Sequence, residues 1–431
     1  MNDLTDNLRA LMARLGIAGE VGDVRRLSGG ANLESWYFAC GGGGFVMRRA
    51  PSAEWMKERQ IDLATEAEVI RRAYAGGVLA PEVVGDLEPR DDLGIGFVMR
   101  AIAGTADPKT IIAEAAPDMI GDIATALARI HALDPSGLDL PELDPAAGVA
   151  RLTEQFEFFG GDRPVIALGL HWLRENTPPP LPPKLNHGDL RIGNVMAQHG
   201  RITGVLDWEL AHLGDPHEDL AFGCMTVWRF GSDQPAFGIA SLEEFFAAYG
   251  TAGGAPVDQD RFRWWLVYRT VWWALGCLRM GHYWREGTDR SLERVVVGRR
   301  ASEQELDLLL ILDDAADAII TESAPAEPVG EPTADEILTA ISEWLAGSIK
   351  PLVEGRERFN LAVAQNALGI VRRELTGRPT VADRALAHAI LTNGADAPTR
   401  TKLRATTLAA LAADSPKYPS LATARARWQQ D

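Results

Sequence analysis

Asp189, Asn194 and Asp207 are the residues whose types and spacing can carry chemistry. They lie in two short segments, His187-Gly-Asp-Leu-Arg-Ile-Gly-Asn194 and Leu206-Asp-Trp-Glu209. A carboxylate on a tight turn is followed five residues on by an amide, and a second carboxylate ends the apolar run Ile202-Thr-Gly-Val-Leu206. In phosphoryl transfer the charge sits on phosphate oxygens, so a protein mainly places the attacking and leaving oxygens in line and holds divalent cations against the phosphates. Hard Mg2+ prefers oxygen donors, which the Asn194 amide and the Asp207 carboxylate can supply. Asp189 is then free to orient an acceptor hydroxyl and take its proton.

The Asp-x4-Asn spacing matches the protein-kinase catalytic loop, with His187 kept and Gly188 standing where that loop has Arg. Asp207 takes the place of the Asp in the kinase Asp-Phe-Gly element. Together, the two segments resemble the signature of the aminoglycoside phosphotransferase and choline kinase family, nearest to the branch related to the kinase-like domain of acyl-CoA dehydrogenase fusion proteins. The resemblance covers roughly residues 20 to 320 and is specific to the superfamily but not to a substrate. It implies an α+β, two-lobed, protein-kinase-like fold, ATP and Mg2+ as cofactors, and a small-molecule hydroxyl as substrate. In these terms Asp189 is the catalytic base, and Asn194 and Asp207 are the metal ligands.

The elements that must position these groups begin with a sheet lobe, residues 1–103. Val24 to Phe38 reads as strand, turn and strand, with Gly29, Gly30 and Asn32 at the turn, where backbone amides can approach phosphates without a Cβ in the way. It lacks the Gly-x4-Gly-Lys spacing of a Walker loop. The glycine run 41–44 reads as a hairpin tip. Phe45-Val-Met-Arg-Arg49 is the expected third strand, where the kinase fold carries its phosphate-binding lysine; here the matching residue is Arg48. Arg keeps the charge and can fork across two oxygens, but is not interchangeable with Lys. On the helix that follows, the resemblance makes Glu66 the candidate ion-pair partner of Arg48. Glu68 stays open as the alternative, because spacing does not fix the helix rotation. The run Ile95 to Gly104 reads as the interlobe strand, where the resemblance places Met99, Ala101 and Ile102 beside the adenine, meeting it through backbone groups.

A mainly helical lobe is expected over 104–321. His131 ends an amphipathic helix before Asp134-Pro135 and reads as structural. For His212-Leu-Gly-Asp-Pro-His-Glu-Asp-Leu-Ala221 the resemblance implies a turn and helix start, with Asp215 and Asp219 as caps bonding backbone amides rather than as metal ligands. Trp264, Tyr268 and Trp272 recur at four-residue spacing and so share one helix face, flanked by Trp265 and Trp273. Most of this surface reads as core, with a share available to wall an acceptor pocket suited to a hydrophobic alcohol. Glu322 to Pro332 reads as a linker, and 333–431 as an all-helical module opened by the capping box Thr333-Ala-Asp-Glu336. Oligomerisation, docking to a partner enzyme and covering the active site are all open roles for it.

Composition narrows the setting. The 431 residues carry 43 Lys and Arg against 60 Asp and Glu, a net charge of −17, which argues against nonspecific nucleic-acid binding. No run of apolar residues suits a membrane span, and the acidic Met1-Asn-Asp-Leu-Thr-Asp start is no signal peptide. Three scattered cysteines point to a reducing, cytoplasmic setting without structural zinc. The reading that results is an Mg-ATP-dependent O-phosphotransferase acting on a small-molecule hydroxyl, such as a hydroxyacyl thioester or another hydrophobic alcohol. An aminoglycoside-type antibiotic phosphotransferase and a noncatalytic nucleotide-binding scaffold are the alternatives.

Overall fold

Gly41 and Gly42 have φ of +57° and +81°, the positive values that a two-residue hairpin turn of the right twist requires. They join β2 (Glu34–Cys40) to β3 (Gly43–Ala50), which pair antiparallel without a break from Glu34↔Arg49 to Cys40↔Gly43. With β1 (Val21–Arg26), β4 (Val83–Asp86) and β5 (Ile95–Arg100) they make an antiparallel sheet of order β1-β2-β3-β5-β4. Phe38, Phe45, Met47 and Val98 bury one face of it against Leu8, Leu11 and Met12 of the helix Asn2–Arg14. The helix Leu63–Ala75 is started by Asp62, whose carboxylate accepts from Thr65 N at 2.7 Å, and buries Glu66, Ala67, Val69, Ile70 and Ala73.

The structure, a computed structural model, describes residues 2–27, 33–52, 56, 59–289, 292–313 and 334–429. Gly29, Gly30, Asn32, the linker 322–332 and the cap at Thr333 lie outside these residues.

The chain divides into two compact units, Met1–Asp144 with Pro180–Phe262, and Pro145–Pro179 with Arg263–Asp431. Besides the sheet, the first holds two antiparallel ribbons. One pairs β6 (Lys184–Asn186) with β9 (His212–Gly214); the other pairs β7 (Val195–Gln198) with β8 (Arg201–Val205). The second unit is helical. Trp264, Trp265 and Tyr268 are buried in it, Trp264 donating to Leu173 O at 3.1 Å and stacking on Tyr268. These three rings are core, not the wall of an acceptor pocket: their surface is spent on packing and on one satisfied indole N–H. The C-terminal helices close on the helix Ala301–Leu312, where Asp313 gathers Arg404 and the Trp428 indole. Ile337, Ile341 and Trp344 stay exposed on the helix Ala334–Trp344. No helix among the described residues is long and apolar enough to cross a membrane.

Candidate functional site

Two loops leave the ribbons of the first unit side by side, His187 to Asn194 between β6 and β7, and Leu206 to Ala211 between β8 and β9. Leu206 N donates to Asn194 O at 2.8 Å, and His187 Nε2 lies 3.1 Å from Leu206 O. Since Asp189 N donates to His187 Nδ1 at 3.2 Å, the imidazole carries its proton on Nε2 and spans the two loops as a neutral ring. Burial lowers its pKa, which keeps it so.

Gly188 explains the departure from the kinase pattern. Its φ is +79°, and a Cβ there would stand 2.3 Å from Leu210 O. An Arg has no room on this backbone.

Asp189 is thereby turned toward Asn194, whose amide nitrogen donates to Asp189 Oδ2 at 2.7 Å and to Asp189 O at 2.9 Å. Arg191 Nε donates to Oδ1 at 3.2 Å, while its guanidinium lies 4.4 Å over the Trp228 ring. Burial pushes the Asp189 carboxyl up to about 7, against the pull of Arg191.

The loop is held from below by Asp219. Its two oxygens accept from His187 N at 2.6 Å and Gly188 N at 2.7 Å. Burial opposes the charge, but the hydrogen bond from His131, with that from the Gly188 amide, holds the carboxyl down to about 2. His131 in turn bonds Tyr249 at 2.7 Å. Asp219 thus bonds backbone amides as expected, but those of the Asp189 loop rather than of its own helix; Asp215 caps the helix Pro216–Phe222 by accepting from His217 N at 2.9 Å. The neighbouring histidines are also engaged, His212 with Glu218 at 2.8 Å and His217 with Asp215 at 2.7 Å.

Arg48 on β3 gathers the acidic groups. Its Nε lies 3.1 Å from Glu66 Oε1, an ion-pair contact without hydrogen-bond alignment, and its Nη2 donates to Asp207 Oδ1 and Glu209 Oε2, both at 2.9 Å. Burial alone would weaken its charge, but Glu66, Asp207 and Glu209 raise its pKa above the ordinary arginine range. Glu68 turns the other way and pairs with Arg72 at 3.1 Å. Arg59 is a member that sequence reasoning missed: it bonds Glu66 Oε2 at 2.6 Å and Glu209 Oε2 at 2.8 Å. Glu209 and Arg191 were also passed over, though both lie within the quoted motifs.

On β5, Met99 pairs with Val46 and Val83. Beyond the strand, the Ala101 N–H is taken by Gly44 O at 3.0 Å, so Ala101 has only its carbonyl to offer a base edge. Ile102 packs on Gly204, where a Cβ would stand 2.3 Å from Ile102 Cδ1. Gly29, Gly30 and Asn32 lie outside the described residues.

The donor set suits Mg2+. Asn194 turns its NH2 to Asp189, which leaves its amide oxygen as the free donor, and Asp207 has one oxygen beyond the one Arg48 holds. Asp207 has φ of +66°, a conformation rare outside glycine that supports a positional role.

Comparison with known proteins is in keeping with this geometry. The mouse acyl-CoA dehydrogenase family member 10 is 25% identical over 257 residues, 54% of this chain and 24% of its own length. The human acyl-CoA dehydrogenase family member 11 is 27% identical over 250 residues, 52% of this chain and 32% of its own length. The chain therefore spans about a third or less of the length of these relatives. A Ralstonia eutropha protein described as an aminoglycoside phosphotransferase superposes with a TM-score of 0.53 at 22% identity, covering 70% of this chain and 95% of that one. That likeness gives the fold as α+β, two-lobed and kinase-like, here with a helical C-terminal region. The profile of the phosphotransferase enzyme family matches residues 23–265, more than half of the sequence, and the chain belongs to that family.

Proposed function

We propose that the chain is an Mg-ATP-dependent O-phosphotransferase acting on the hydroxyl of a small molecule in the cytoplasm. The observation that carries the reading is the joining of Asp189 to Asn194 at 2.7 Å in one loop, tied through Leu206 to the loop that bears Asp207. Asp189 accepts the proton of the acceptor hydroxyl, and its carboxyl near 7 keeps it competent as a base close to neutral pH. Asn194 and Asp207 hold Mg2+, and Arg48, set by Glu66, meets the phosphates. When bound, the metal neutralises charge on the transferring phosphate. Met99, Ala101 and Ile102 flank the base of the nucleotide.

The acceptor we propose is a hydroxyacyl thioester or another hydrophobic alcohol. Its support is the likeness to proteins named as acyl-CoA dehydrogenase family members, since Trp264, Trp265 and Tyr268 are core. The exposed Ile337, Ile341 and Trp344 support a role in self-association or docking to a partner enzyme. A noncatalytic scaffold is favoured by one observation, that Arg48 is engaged by Asp207 and Glu209 as well as Glu66.

ATP-dependent phosphate incorporation into a panel of hydroxyacyl-CoAs, simple alcohols and aminoglycosides separates these readings. Asp189→Ala should lower kcat by about 10²–10⁴. Turnover that survives this change would remove the base, ATP binding without turnover on any acceptor would leave the scaffold, and failure to bind Mg-ATP would sink both.

A further inference from the structure

The second unit holds a cavity of about 430 Å³ built from residues outside the Asp189 site. That volume lies within the range of small-molecule pockets. Its lining includes four arginines and a histidine, and no carboxylate.

Three of the arginines are fixed from behind. Arg163 forks onto Glu305, Arg378 onto Asp414 at 2.9 and 2.8 Å, and Arg299 reaches Asp414 at 3.2 Å and Glu374. Glu305 and Asp414 are buried, and no one of the three carboxylates lines the cavity. The fourth, Arg285, is exposed and has no ion-pair partner among the described residues. His282 pairs with Glu286 at 2.9 Å.

The remaining wall is aromatic. Phe158 and Phe159 lie on a five-residue π-helical turn, Phe156–Gly160, a geometry frequent at functional sites. The rings meet edge-on at 4.7 Å, and each stands edge-on to His282, at 5.2 and 5.3 Å. Phe158 is nevertheless 68% exposed, a large apolar ring left open to solvent beside the cavity. Gly281 and Gly298 contribute bare backbone: a Cβ on Gly298 would stand 3.2 Å from Gly281 Cα. Two helices therefore touch where the cavity stays free of side chains.

We propose that this cavity binds a small organic anion with a planar aromatic portion. Arg285 meets the anion, and Phe158, Phe159 and Trp284 take the ring. A guanidinium free of a carboxylate forms charge-assisted hydrogen bonds with carboxylate, sulfonate or phosphate alike, and exposed rings held edge-on offer faces and edges to a third ring. The inference is independent of the phosphotransfer reading.

The probe is 8-anilinonaphthalene-1-sulfonate, titrated by fluorescence into the full chain. Saturable binding is expected, weakened about tenfold by Arg285→Ala and by Phe158→Ala, both at exposed positions. Arg285→Lys should retain most of the affinity, and the uncharged N-phenyl-1-naphthylamine should be indifferent to Arg285→Ala. Absence of saturable binding, or an affinity in both alanine variants unchanged from that of the parent chain, would overturn the proposal.

Discussion

Asp189 is proposed as a base and yet is held where its charge is disfavoured, so it should weaken the fold that carries it. Its carboxyl has an ordinary value of 3.8 and rises to about 7 in the folded chain, burial being the chief cause. The folded state then holds a proton that the unfolded state has already lost. The sign follows: the group costs nothing below about pH 4, and the cost grows with pH until it levels off above about 7. A gap of about three pK units corresponds to about 4 kcal/mol at full extent, and about 2–3 kcal/mol of it accrues between pH 5 and pH 8. Asp189→Asn keeps the shape, can still accept from Asn194, and cannot ionise. The Asn variant should therefore gain on the parent chain as pH rises, by about 5–10 °C in Tm between pH 5 and pH 8 at the scale expected for domains of this size. Other titrating groups are common to both proteins and cancel in the comparison. Differential scanning calorimetry of the two at matched ionic strength reads the effect directly. A Tm difference that does not change with pH, or that falls as pH rises, would refute the argument from burial. In the parent chain, kcat/KM should rise as pH climbs through about 7, as the Asp189 carboxyl ionises.

Gly188→Ala should destabilise by about 2 kcal/mol or more and abolish turnover, because the new Cβ meets Leu210 O at 2.3 Å on a backbone with φ of +79°; urea denaturation measures it. Asp219→Asn leaves one oxygen for the two amides of His187 and Gly188 and should cost about 1.5–3 kcal/mol, with kcat falling more than the KM for ATP. Arg59→Ala leaves the buried Glu66 with Arg48 alone and should cost about 2 kcal/mol. A double-mutant cycle with Glu209→Gln should return a coupling above about 0.5 kcal/mol.

How much of this was legible depended on whether the geometry is local in sequence. Asp189 and Asn194 are five residues apart on one loop, so the spacing carried their juxtaposition. The partner of Arg48 needed the rotation of a helix: Glu66 and Glu68 sit two positions apart and therefore on different faces, and burial of the Ala67 and Ile70 stripe turned Glu66 inward and Glu68 toward Arg72. Asp219 was expected as a local cap because the resemblance makes its segment a turn and helix start. Its bonds run instead to amides about thirty residues back, an encounter made by tertiary packing. The Trp-rich helix showed which rings share a face but not what that face meets.

Arg59 was out of reach for a further reason: it stands between the third strand and the Glu66 helix, in no periodic element, so neither pattern nor spacing singles it out. Its presence alters the meaning of Arg48. A single lysine ammonium is a point charge, whereas the guanidinium edge of Arg48 faces Glu66 with Nε and both Asp207 and Glu209 with Nη2. On the proposed reading, Nη2 turns from Asp207 to a phosphate, which gives that carboxylate a second oxygen for a metal. Glu66 and Glu209 would then be two buried or half-buried charges short of a partner, were Arg59 not bonded to both at 2.6 and 2.8 Å. On that reading the second arginine is what makes the first one releasable.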